Sequence, residues 1–517
     1  MTRPTTTGKA QDLITFTRST TGTALAKISY GEELVTNGDF SSDSDWAGTN
    51  WSIIDESLNH AGTSFNVVFP SSSAGFVSGK LYTITLTKTG VGSLYFYYDG
   101  SPNFLNFSGV GTFTQTFIAG SNSSFFIGTS GDNYKIDNIS VKEVLYDQPD
   151  GTLQLFNHPI NKPRIEYDAS GNCLGLLVEE ASTNLISTSE ALQVSSNRAI
   201  AESSVSPTGE QTAQTWRVNG SASASPYMYG NPNIVSGTTY TCSVFVRLPT
   251  SGPTVEPRYV KMSSQTEVQV GWTIFDLQEG TVVFSNMLSE SITPVGNGWY
   301  RISVTNIAQS SGESFSFILW PIINAAGDLY IISASDDGKA LFETFGMQTE
   351  AGSFPSSYIP TSGSAATRAN DLASLAVSEF GYNQDQGSVV VESNFFGGTN
   401  TNTLCYIGED TSDRILLYYS NKNLSFQVKS SGATQATKSL SGQRNKAAYR
   451  YKLNDMNLAG NGDTTVADTS ANLLGGTQNN IYIGSYYNGG SQLNGHIKSI
   501  QYYPLGLSNA QLQALTV

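Results

Sequence analysis

Along most of its 517 residues the chain alternates apolar or aromatic residues with polar ones, in runs of six to nine closed by Gly, Asn, Asp or Ser. Leu81 to Thr87, Ser93 to Tyr98 before Asp99-Gly100, and Thr239 to Val246 are clear cases. A period of two places successive side chains on opposite faces of a strand, and Tyr, Phe, Val, Ile and Thr suit a pleated, half-buried surface. Short strands with turns at regular intervals define an all-β chain of tandem antiparallel β-sandwiches. Helical periodicity is confined to the last residues. There Ser508 is placed to cap a short helix in which Leu512 and Leu515 share a face.

A pattern S-G-x-x-Y-T occurs twice, as Ser78 to Thr83 and Ser236 to Thr241, each a turn delivering an aromatic residue into a strand. Two sandwiches of one type explain the echo. Turn clusters then divide the chain into a framing segment (1–32), a first sandwich (33–144), a connecting framing segment (145–181), a second sandwich (182–371) and a third (372–517).

Only 13% of residues are charged, and the net charge is −15. A basic stripe for phosphate is therefore missing, and neither nucleic acid nor an anionic membrane surface is expected as a partner. No apolar run reaches the ~18 residues of a membrane span, and the N-terminus has no signal-peptide core, so the expectation is a soluble, cytosol-made protein without membrane insertion. Cys173, Cys242 and Cys405 are too scattered for a disulfide framework or zinc site and read as small buried hydrophobes.

Catalytic signatures are scarce. His60, His158 and His496 lie far apart, His496 reading as a surface residue, and no nucleophile elbow, phosphate loop or zinc-protease motif occurs. Glycoside cleavage needs only two carboxylates, but the nearest acidic cluster, Glu409 to Asp413, falls in a turn. The chain is expected not to be an enzyme, with polysaccharide depolymerase as a minor alternative. Sugar binding needs aromatic platforms flanked by hydroxyl and amide groups. Candidates are Trp46, Trp51, Tyr95, Tyr97, and the loop residues Tyr486, Tyr487 and Asn488. Strand aromatics also serve as core fillers and cross-strand partners, and for the loop pair a structural role stands level with binding or a protein interface.

Three resemblances bear on these readings. The run Leu34 to Phe40, with Trp46, Trp51 and the closing Tyr134 to Val141, resembles the first and last strands of galactose-binding-like jelly-roll carbohydrate-binding modules. That likeness implies a structural calcium bridging the two ends, which nominates Asp39 and Asp137; both residues also suit turn capping. The third sandwich resembles the laminin-G and concanavalin-like lectin fold through Gly387 to Glu392, Asn480 to Gly484 and Leu493 to Tyr503. The fold class is then two jelly rolls plus a concanavalin/laminin-G-like sandwich.

The third resemblance is a set of four ordered blocks: Asp12 to Thr20; Pro163 to Asp168 with Gly175 to Leu185; Asn297 to Arg301; and Tyr358 to Thr361 with Ala366 to Ala369. It is similar to a block of bacteriophage virion and tail-fibre proteins, with the first jelly roll inserted into it. The resemblance implies a virion tail-fibre or surface-fibre protein, synthesised in the host cytoplasm, that adsorbs to host-surface glycan. Its partners are other virion proteins and further copies of itself, as a trimer in a fibre. The rival implication is a capsid decoration or tail-assembly adaptor that binds no sugar.

Overall fold

The computed structural model describes residues 13–517 except 63–64, 71–74, 91, 100–103, 122–123, 130–133, 195–198, 221–224, 231, 251, 256–257, 265–270, 310–316 and 398–400. The chain forms antiparallel sheets throughout, in the expected class of tandem sandwiches, and divides into two units. One comprises Lys27–Gln154 with Ser203–Ala213; the other comprises Met1–Ala26, Leu155–Glu202 and Gln214–Val517.

The smaller unit is a single sandwich. One sheet runs Gly111–Ile118, Leu81–Thr89, Tyr134–Tyr146 and then residues 27–33; the other runs Trp46–Gly48, Asn66–Pro70, Phe126–Thr129, Ser93–Tyr97, Phe104–Ser108. Alternation sends Ile84, Leu86, Ile136 and Val141 from one sheet, and Val68, Leu94, Phe96 and Ile127 from the other, into one core. Its opening and closing segments meet as the sequence suggests. Leu34 N–H donates to Val141 O at 2.9 Å, and Ile139 N–H to Gly38 O at 2.8 Å.

The larger unit holds two sandwiches. The first has a sheet ordered Ala340–Ala351, Thr239–Arg247, Trp299–Ile307, Ser289–Gly296, facing a sheet ordered Met228–Gly230, Phe317–Ile322, Tyr259–Ser264, Gly271–Asp276, Thr281–Ser285. The S-G-x-x-Y-T echo is structural. The Tyr82 hydroxyl accepts from Val77 N at 2.9 Å, and Tyr240 from Val235 N at 3.0 Å. Gly79 donates to Ala119 O and Gly237 to Ala308 O, both at 2.8 Å, and both glycines sit at φ 80°. Each buried tyrosine thereby ties a turn to its own strand.

The last sandwich departs from the sequence-based boundaries. Segments 1–32 and 145–181 do not stand apart as framing pieces, because they supply edge strands to it. Thr15–Thr17 pairs antiparallel with Leu372–Ala376, and the hairpin Ile165–Tyr167/Cys173–Val178 adds to Gly495–Tyr503. Phe16, Leu176 and Val178 complete the core that Val389, Val391, Leu404 and Ile497 begin, which is the physical reason for the recruitment. Gly175 permits the close approach: it sits at φ 118°, and a Cβ there would lie 2.4 Å from Ile497 O. Ser508 caps the terminal helix Asn509–Thr516 by accepting from Gln511 N, and Leu512 is buried. Of the cysteines, Cys242 and Cys405 are buried as expected, whereas Cys173 is exposed.

Three of the four ordered sequence blocks supply Arg18, Arg164 with Glu179, and Arg368 to one buried charge network that Asp371 joins. Asp371 accepts from Arg18 Nη1 at 3.2 Å, from Arg164 Nη2, and from Glu179 N at 2.9 Å. Glu179 pairs with Arg164 Nη1 at 2.8 Å and Arg368 Nη2 at 3.5 Å, and accepts from Ser357 N at 2.8 Å. Other donors of these guanidinium groups reach carbonyls, among them Arg18 Nε to Thr20 O and Arg368 Nη2 to Glu180 O, while Arg164 Nε and Arg368 Nε have no protein partner among the described residues. None of these five charged side chains is more than 2% exposed. An unpaired charge so deep in the protein is strongly unfavourable, so the network fixes segments hundreds of residues apart in one arrangement.

Truncation and acid both test this network. Asp371→Ala strands two guanidinium groups and is expected to cost about 3–5 kcal/mol of unfolding free energy in the larger unit. Burial pushes the Glu179 carboxyl up, but Arg368, Arg164 and Ser357 outweigh it and hold it at about 2, below its ordinary 4.5. Burial, with Arg164 and Arg18 beside it, lowers the His158 imidazole from 6.5 to about 3. Both folded-state values lie below the unfolded ones, so stability is full above pH 6.5 and falls as pH drops, first through His158 and below 4.5 through Glu179 as well. Urea midpoints measured between pH 7 and 4 check this, and His158→Gln is expected to flatten the limb between 6.5 and 4.5.

Candidate functional site

The five-stranded sheet of the smaller unit has an outer face built from rings. No Asp, Glu, Lys, Arg or His occurs in any of its strands. Alternation turns Leu94 and Phe96 into the core and Tyr95 and Tyr97 outward, while in neighbouring strands Val68 and Ile127 point inward and Phe69 and Phe126 outward. Register aligns the outward rings. Phe104 faces Tyr97, Tyr97 faces Phe126, and the pairing of Ile127 with Val68 sets Phe126 beside Phe69.

The result is a row of four rings, one per strand, spanning roughly 14 Å at the usual strand spacing. Tyr97 and Phe126 stack at 4.5 Å and 12°, Tyr97 and Phe104 lie 5.3 Å apart, and Phe69 and Phe126 5.4 Å apart. Tyr95 stands edge-on to Phe104 at 5.2 Å, and Phe65 edge-on to Tyr97 at 6.5 Å. Phe65, Phe69 and Phe104 are 54%, 48% and 41% exposed. A contiguous exposed patch of rings is uncommon on a soluble fold and marks a binding surface. Burial among the rings, with Tyr95 close by, raises the Tyr97 phenol above its ordinary value, so its hydroxyl stays a neutral donor at pH 7.

Gly128 lies in the same sheet, opposite Tyr95 and Val67. A Cβ there would come within 2.9 Å of the Phe65 ring and 3.1 Å of Tyr97. The rings lie across this glycine because it offers no side chain of its own.

The other sequence candidates fall elsewhere. Trp46 and Trp51 are half-buried and pack against the core of the same sandwich. Trp46 Nε1 donates to Asn37 O, with its ring 5.5 Å from Phe40, and Trp51 lies 4.8 Å from the His60 ring. Tyr486 and Tyr487, expected as exposed loop residues, are instead half-buried against the ring of the buried Tyr406, at 5.3 and 5.9 Å. Asn488 is exposed, but its carbonyl oxygen accepts from Gly490 N within the turn. Asp39 accepts from Ser41 and Asp137 from Asn138 N, both as turn caps, and among the described residues no group of three or more His, Cys, Asp or Glu side chains could hold a metal ion. His496 is buried rather than on the surface, its Nε2 2.7 Å from Glu166 Oε2. Glu409 and Asp410 bond backbone N–H groups of nearby turns. Sequence reasoning missed Phe65, Phe69, Phe104 and Phe126, although Phe69 beside the inward Val68 carries the alternation signal.

No family model matches the chain, and no curated protein matches it. Among solved structures it is similar to the CBM40 of a Ruminococcus gnavus sialidase bound to α2,3-sialyllactose, at 17% identity over 26% of this chain and 84% of that one, with a TM-score of 0.24. A CBM22 tandem domain from Paenibacillus barcinonensis Xyn10C matches at 11% identity over 62% and 98%, TM-score 0.19. Mouse laminin α1 domains LG4-5 match at 12% over 65% and 90%, TM-score 0.19.

Gly128→Val is expected to displace Phe65 and Tyr97 while changing stability by no more than about 1 kcal/mol, because outward rings can swing aside. Tyr97 ring-proton chemical shifts check this, and an unchanged spectrum contradicts the packing described.

Proposed function

We propose that the protein is a non-catalytic glycan-binding component of a bacteriophage virion, carried on a tail or surface fibre, and that the ring face of the smaller unit contacts the glycan. The row Phe104–Tyr97–Phe126–Phe69 carries the reading. Pyranose rings present flat C–H faces that pack on aromatic π-systems, and their hydroxyls require neutral donors and acceptors, here Asn106 and the tyrosine hydroxyls. With no charge in these strands, the face selects against phosphorylated or sulfated polymers and for neutral sugars.

The virion setting rests on the ordered blocks of Arg18, Arg164, Glu179, Trp299 and Arg368. Several copies on one particle would add weak contacts into firm adhesion, which suits a trimeric fibre. Polysaccharide would be held and left uncleaved.

Affinity electrophoresis in gels carrying neutral host polysaccharides tests the reading. Wild-type protein is expected to be retarded, with Tyr97→Ala and Phe104→Ala each reducing affinity about tenfold or more. Retardation should change by less than about twofold between 50 and 500 mM NaCl, because no ion pair contributes. Unretarded migration on every host polysaccharide contradicts it and favours the capsid-decoration or adaptor role. Release of reducing ends would establish depolymerase activity.

A further inference from the structure

Within the larger unit, at the junction of its two sandwiches, lies a cavity of about 420 Å³, the size of a small-molecule site. Its walls are largely apolar, with Phe245, Phe354, Phe396 and Leu177 among them, and it meets solvent beside the exposed Thr293 and Pro294. Two lining side chains hold buried polar atoms with no protein partner: Arg301 Nε and His496 Nδ1.

Arg301 is the unusual member. Its Nη2 donates to Ser243 Oγ at 2.9 Å and its guanidinium lies 5.3 Å from the Phe245 ring, yet among the described residues no carboxylate comes within ion-pair distance. The acidic residues around the cavity are already engaged. Glu166 holds His496 and accepts from Leu25 N, Glu179 is closed by Arg164, Arg368 and Ser357, and Asp168 caps its own turn through Ser170 and Asn172. Glu350, which acts on Arg301 through space, is bonded by Ser182, Ser356 and Gln348. A desolvated guanidinium with a free donor on an apolar cavity is complementary to a carboxylate on a ring-sized apolar body.

We infer that this cavity binds a small carboxylic acid with an aromatic or alicyclic body, its carboxylate on Arg301 and its ring among Phe245, Phe354 and Phe396. The site is separate from the ring face and independent of glycan binding. Isothermal titration of the full chain with phenylacetate and with cyclohexanecarboxylate tests it, with phenylacetamide as the uncharged control. Saturable binding of at least one acid is expected, with the amide and Arg301→Gln each weaker by roughly ten- to hundredfold, the range of one charge-assisted hydrogen bond. Val295→Trp, which fills the cavity without touching the charge, is expected to abolish binding while near-ultraviolet dichroism stays native. The inference is overturned if neither acid binds, if the amide binds as well as the acid, or if natively folded Arg301→Gln or Val295→Trp binds undiminished. The wild-type comparison of acid with amide decides the matter even where a variant fails to fold.

Discussion

Two buried carboxylates organise the larger unit. Asp371 and Glu179 between them hold Arg18, Arg164 and Arg368, and no member of the set is accessible to water. Such a network contributes little net stability, since removing five charges from water offsets most of what their attraction returns. Its effect is on specificity. Any arrangement that leaves one member unpaired is heavily penalised, so the strand Thr15–Thr17 and the hairpin Ile165–Val178 can dock in only one register. A sandwich whose edges are supplied from more than 300 residues away in sequence needs a constraint of this kind.

Much of the fold was legible locally. Alternation located the strands, S-G-x-x-Y-T marked one turn built twice, and Ser508 with Leu512 and Leu515 announced the terminal helix. What the sequence hid was long-range. Nothing in Thr15 to Thr17 names Leu372–Ala376 as its partner, and a lone Arg18 or Arg368 reads as a surface charge until Asp371 stands beside the one and Glu179 beside the other. His496 misled for the same reason, because its partner Glu166 lies 330 residues away.

The ring face was half legible. Tyr95 and Tyr97 were read as candidate platforms, but their strand is aromatic on both faces, so apolar contrast could not say which side was wet. Neighbouring strands settle it, because Val68 and Ile127 claim the core and leave Phe69 and Phe126 outside. Tyr486 and Tyr487 failed in the opposite sense. Their Asn-Gly-Gly turn signals exposure, and the distant Tyr406 ring, with Arg414 over Tyr486, draws them back onto the sheet.

Buried charge fixes the scaffold of one unit, while the other presents an uncharged row of rings proposed to contact glycan. Hydrogen–deuterium exchange of the full chain with and without a neutral host polysaccharide tests that division directly. Added protection is expected, confined to Asn66–Pro70, Ser93–Tyr97, Phe104–Ser108 and Phe126–Thr129. Protection elsewhere, with these strands unchanged in the presence of a bound glycan, would contradict it.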